Sequence, residues 1–119
     1  MKLDTDIAIK IRTLTQTECN LNIYVTRAGE YRFLCLPDDT AVTQLIYLPP
    51  PLVGCSLQIT VGRTFAGAYY ATIYATALAP LNGETALGIS LKNEGDTCRL
   101  VCQSLAAGWI NDNLVTILV

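Results

Sequence analysis

The chain has 119 residues, 51% of them hydrophobic and 15% charged, with a net charge of −2 and no histidine. That balance excludes a nucleic-acid binder, which needs a basic footprint to neutralise phosphates, and it removes the side chain that most often carries acid–base work near neutral pH. No run reaches the ~18 apolar residues of a membrane helix, and Asp4 and Asp6 stand where a signal peptide would begin its apolar stretch, so a soluble chain made in a cytoplasm is expected.

In chain order, strands alternate with turns. Ile7, Ile9 and Ile11 alternate with Ala8, Lys10 and Arg12, giving one apolar and one mixed face. Leu21, Ile23 and Val25 repeat the pattern after the polar run Thr15 to Asn20. Ala28-Gly29 turns the chain into a strand with Tyr31, Phe33 and Cys35 on one side. Pro37-Asp38-Asp39 stops it, because proline cannot donate to a ladder and Asp favours a turn. Val42 to Leu48 is the next strand, and Pro49-Pro50-Pro51 after it is a stiff, extended spacer. Cys55 to Val61 follows, with Cys55, Leu57 and Ile59 on one face.

Ala66 to Ala79 has alanines that tolerate a helix, but its β-branched residues, tyrosines and clean period-two parity favour a strand. Asn82-Gly83 is a hairpin signal, and Ala86 to Lys92 is a strand. Gly95-Asp96 is a turn pair, after which Cys98, Leu100 and Cys102 share one face of a strand from Thr97. Ala107-Gly108 delivers the only tryptophan, Trp109, to a short antiparallel return strand as a large apolar plug. Leu114 to Val119 is a last strand. About eight or nine short strands without a convincing helix predict an all-β single domain over 1–119, an antiparallel β-sandwich or jelly roll. No internal repeat or interdomain linker stands out.

Five cysteines leave at least one unpaired. Cys98 and Cys102 lie ~13 Å apart along one strand face, beyond the ~7 Å that a disulfide tolerates between Cα atoms. Without histidine or Cys-x-x-Cys the usual zinc spacings are absent too. The cysteines are expected to be buried thiols.

No catalytic residue, metal or cofactor is expected. A cysteine nucleophile would lack its histidine partner. Asp38-Asp39 and the pair Glu94 and Asp96 read as solvated turn acids. Gly62 to Gly67 follows no strand-to-helix switch, so it is no phosphate loop.

From Thr40 to Leu91 the only charged residues are Arg63 and Glu84. A monomer of this size cannot bury so long an uncharged span, so self-association is expected. Within that span, Tyr70, Thr72, Tyr74 and Thr76 share a face. Such a face can be a subunit interface, a platform for sugar rings, or a plain exterior stabilised by aromatic–Thr pairs. Its place in the charge-poor span favours the interface over the sugar platform.

The order of Leu48-Pro49, a short spacer, Gly54, Ser56-Leu57-Gln58-Ile59, a strand pair, Asn82-Gly83, Gly95-Asp96, Leu100-Val101 and Gly108-Trp109 resembles a β-module of tailed-phage virion proteins. The module occurs in tail- and head-fibre heads and in small capsid decoration proteins, and the resemblance covers Glu30 to Ile110. Two positions depart from it: Ala107-Gly108 stands where the module has Asn- or Asp-Gly, and Thr60-Val61 where it often has Lys or Asn.

The resemblance implies a non-enzymatic virion component on the capsid surface, a decoration or cement protein whose partners are itself, as a homotrimer, and the major capsid protein. The alternative it implies is a fibre tip or carbohydrate-binding module that recognises a host surface. A fibre needs a shaft or coiled-coil anchor, whereas here a strand pattern starts almost at once, so decoration is the leading expectation. Met1 to Arg12 lies outside the resemblance and is a candidate attachment arm, with Ile7, Ile9, Ile11, Lys10 and Arg12 placed to add to a partner's sheet edge. The competing reading makes it an ordinary edge strand.

Overall fold

The computed structural model describes residues 9–85, 88–112 and 117–118. Its strands are β1 (Ile9–Leu14), β2 (Glu18–Asn20), β3 (Glu30–Cys35), β4 (Gln44–Tyr47), β5 (Ser56–Val61), β6 (Ala71–Tyr74), β7 (Gly88–Leu91), β8 (Thr97–Ser104), β9 (Gly108–Asn111) and β10 (Ile117–Leu118). They form two five-stranded sheets, ordered β1-β3-β5-β8-β9 and β10-β7-β6-β4-β2. The all-β, single-domain expectation stands. Among the described residues no helix is long and apolar enough to cross a membrane.

The expected antiparallel arrangement does not hold throughout. The first six strands alternate between the sheets, and β1–β3, β3–β5, β2–β4 and β4–β6 are all parallel pairs. A parallel pair cannot be closed by a tight turn. Here each crossover leaves its sheet and deposits a strand in the opposite one. The direction then reverses, since β7 and β8 run antiparallel to β6 and β5, and β9 and β10 add as antiparallel neighbours.

Register lines up the apolar side chains. Cys19, Ile46, Ile73 and Ile89 lie abreast across the second sheet. Tyr31, Leu57 and Leu100 form one row of the first sheet, and Phe33, Ile59 and Cys98 another. All are buried, and the two sheets contribute to one hydrophobic cluster. Successive turns of chain therefore repeat in space although no repeat is visible in the sequence, because a row needs apolar character and not identity.

Several expected strands are shorter or different. The stretch Leu21, Ile23, Val25 is not a strand, for Leu21–Ile23 forms a 3₁₀ turn. Asn20 accepts from the Asn22 amide, and the Tyr24 and Val25 amides both donate to Leu21 O. This buries Leu21 and Val25 and leaves Ile23 67% exposed. Within Ala66 to Ala79 only β6 is extended in a sheet; Thr76 and Ala79 close a tight turn. Ala86 and Leu87 of the expected strand before Lys92, and Leu114, Val115, Thr116 and Val119 of the last one, lie outside the described residues.

The tryptophan does act as a plug. Trp109 is fully buried, and its Nε1 donates to Pro49 O at 2.8 Å. Its backbone N–H donates to Pro80 O and its carbonyl accepts from the Asn82 amide. Two distant pieces of chain, the proline spacer and the Pro80–Asn82 turn, meet on one residue. Gly108 makes this approach possible, with φ of 71° and room for no side chain, since a Cβ there would lie 2.2 Å from Pro80 O. Asn82 and Gly83, at φ of 52° and 82°, form the sharp turn that their dipeptide signals.

All five cysteines are free and buried. Burial pushes the Cys98 thiol up from 9.0 to about 12, and burial, with a smaller contribution from nearby Cys19, does the same to Cys35. The unfolded chain would release these protons near pH 9 while the folded chain keeps them. Their contribution to stability is therefore complete below pH 9.0 and is lost as pH rises towards about 12.

Reductant should leave the melting temperature at pH 7 unchanged, and melting temperature should fall above pH 9 less steeply in Cys98→Val than in the parent. A large drop on reduction would show that disulfides hold the fold. Gly108→Ala should cost more than about 2 kcal/mol in denaturant unfolding, because both φ and the contact with Pro80 oppose a methyl group; a cost under ~0.5 kcal/mol would contradict that packing.

Candidate interaction surfaces

Two surfaces contain the residues singled out from the sequence. The first is β1. Its partner is β3, and among the described strands none lies on its other side. Ile9 and Ile11 stand beside Glu30 and Arg32, whereas Lys10 and Arg12 stand beside the buried Tyr31 and Phe33. Paired residues share a sheet face, so the isoleucines face outward and the cations lie on the core side. This reverses the simple amphipathic reading.

The reversal is tolerated because β1 overhangs the core. Ile9 is 39% and Ile11 67% exposed, and Lys10 and Arg12 are exposed as well. The Arg12 guanidinium sits 5.7 Å from the centre of the Tyr24 ring, which lies 6.0 Å from that of Phe33. A cation over an aromatic face keeps its head in water while its stem covers the ring. Only at Leu14 does the strand enter the core. Ile7 lies outside the described residues.

The second surface is the outer face of the second sheet. Thr72 and Tyr74 do share that face, with Leu45 and Tyr47 beside them on β4. Tyr47 and Tyr74 stack, their ring centres 5.8 Å apart and their planes 24° from parallel. Tyr70 and Thr76 flank the strand and do not extend its ladder. Tyr70 is capped by the Lys92 ammonium, 4.9 Å from the ring centre, and that ammonium also donates to the Gly67 and Tyr69 carbonyls. Near Tyr47 a shallow cleft of about 280 Å³ is bordered by Asn20, Asn22, Thr76 and Leu78.

Sequence reasoning missed Tyr47, Asn20 and Asn22. Tyr47 carries an ordinary strand-face signal, and only the parallel register of β4 against β6 makes it the partner of Tyr74. The Asn residues belong to a polar run with no pattern of its own. The outer face of the first sheet is different in character, with Arg32, Gln58 and Arg99 in one row and Glu30 close by. Its Glu30–Arg32 pair, at 3.4 Å and exposed on both sides, contributes at most a few tenths of a kcal/mol.

The turn carboxylates take structural positions. Asp96 Oδ2 accepts from the Lys92 and Asn93 amides, and Asp39 Oδ1 accepts from the Ala41 amide. Among the described residues no three Asp, Glu, His or Cys side chains converge.

The Tyr47–Tyr74 stack should show a coupling of about 0.5–1 kcal/mol in a double-mutant cycle of Tyr47→Ala and Tyr74→Ala, read by denaturant unfolding. Additive single-mutant effects would mean that the rings do not support each other.

No protein-family model matches the chain, and no curated protein sequence matches it.

Proposed function

We propose that this chain is a non-enzymatic assembly protein that binds copies of itself and a larger particle, in its most specific form a phage capsid decoration protein attached through β1. In this reading the two sheets form a sandwich, with the outer face of the second sheet and the edge at β1 available to partners. The observation that supports it most is the edge itself: Ile9 and Ile11 are exposed on a strand with no described neighbour on its far side. Such a strand offers unpaired backbone donors and acceptors, and natural sheets usually blunt these with charge, proline or a covering loop. Strand addition satisfies them, the backbone giving affinity and flanking Lys10 and Arg12 giving register.

A second reading, recognition of a glycan on a host surface, is favoured by the Tyr47–Tyr74 stack and the amide-bordered cleft beside it. An aromatic face with uncharged hydrogen-bonding groups suits a sugar ring better than a charged ligand.

Ile9→Lys and Ile11→Lys are surface changes and should alter stability by no more than about 0.5 kcal/mol each. Light scattering should show the parent as an oligomer at micromolar concentration and the double variant as a monomer. Purified capsids should retain the parent and release the variant. A monomeric parent contradicts self-association, and a variant that capsids retain as well as the parent contradicts attachment through β1. Binding to a glycan array that is lost in Tyr47→Ala would favour the second reading.

A further inference from the structure

We infer that the chain carries a site for a hard divalent cation of the calcium class, at the mouth of the turns that follow β1 and β3. A cavity of about 120 Å³ there is lined by Thr15, Gln16, Thr17, Asp38, Asp39 and Gln44, among others. Gln44 is the unusual member. It is a polar residue only 1% exposed, and its Oε1 has no hydrogen-bond partner.

The orientation of that amide is fixed by chemistry. Nε2 donates to Leu14 O at 3.0 Å and to Gln16 O at 2.9 Å. Turning the amide over would set Oε1 against two carbonyl oxygens, so the unpartnered atom must be the oxygen. A buried acceptor left unsatisfied costs roughly 1–3 kcal/mol, which makes it unusual unless something outside the protein satisfies it.

The other residues that line this cavity favour a cation. Asp38 and Asp39 bring two carboxylates to the same cavity, and Thr15 and Thr17 bring hydroxyls. Asp39 commits Oδ1 to the Ala41 amide. Among the described residues neither aspartate forms an ion pair. Arg63 reaches the same turn but donates Nη1 to Pro37 O at 2.8 Å. An oxygen-rich pocket with two unneutralised carboxylates and an amide oxygen suits Ca²⁺, which accepts irregular oxygen sets from carboxylates and amide carbonyls; Mg²⁺ demands an octahedron and holds its waters. Two carboxylates place the site in the weak range, ~10⁻⁴–10⁻³ M, of exposed calcium modules.

Such an ion would tie the turn after β1 to the turn after β3. It would thus fix the edge strand to the body of the first sheet, independently of what binds that edge.

The test uses the full chain with CaCl₂. Calorimetric titration should give one site of ~10⁻⁴–10⁻³ M, and a tenfold excess over that value should raise the melting temperature by about 6 °C. Asp38→Asn with Asp39→Asn keeps the shape of both exposed side chains and should fold normally, yet lose at least tenfold in affinity together with the thermal shift. A melting temperature that responds to CaCl₂ no more than to NaCl of equal ionic strength overturns the site, as does a response that persists in the double variant. In that case a water molecule satisfies Gln44.

Discussion

A parallel pair of strands has its free ends at opposite poles, and this one constraint shapes the whole molecule. The chain leaving β1 cannot turn straight back to lie beside it in parallel as β3. It must travel the length of the domain, and it uses the journey to lay down β2 in the other sheet. The same step repeats from β3 through β4 to β5, and from β4 through β5 to β6. Each step adds one residue to every apolar row of its sheet, which is how short strands build one shared cluster. The reversal after β6 ends the parallel progression, and Trp109 fastens that end by joining β9 to the proline spacer at Pro49 and to the turn at Pro80.

The two ends of the stack are consequently unlike. On one side, antiparallel strands and the Trp109 bonds finish the sheets. On the other, β1 overhangs the core with Ile9 and Ile11 turned outward. A stack built by adding parallel strands is chemically ready to accept another at its starting edge, since the donors and acceptors that took up β3 have counterparts on the side of β1 where no described strand lies. The Tyr47–Tyr74 stack and the cleft by Asn20 belong to a different surface, the outer face of the second sheet. The proposed assembly role and the glycan-binding alternative therefore rest on separate parts of the molecule and can be removed separately.

Much of this was legible in the sequence, and the rest failed for definite reasons. Alternation identified β3, β5 and β8 and their buried faces correctly, because apolar residues recur at every second position within each strand whatever it pairs with. For the same reason alternation could not tell parallel from antiparallel neighbours. Asn82-Gly83 and Gly108 were readable because positive φ selects those residue types. Leu21 to Val25 misled because Asn20 caps a 3₁₀ turn that buries two apolar residues at a spacing a strand would also permit. At β1 alternation showed two faces but could not say which one meets the core; register with Tyr31 and Phe33 assigns the inner face to Lys10 and Arg12. The cavity at Gln44 had no sequence signal, since its floor and its carboxylates come from different turns.

The open edge is the centre of this account, and amide hydrogen exchange reads it most directly. Exchange followed by mass spectrometry from dilute to concentrated protein should show the β1 peptide, Ile9–Leu14, slowing markedly as concentration rises, with β5 and β8 slow throughout. Equal exchange of β1 at every concentration, whether fast or slow, would contradict association through this strand.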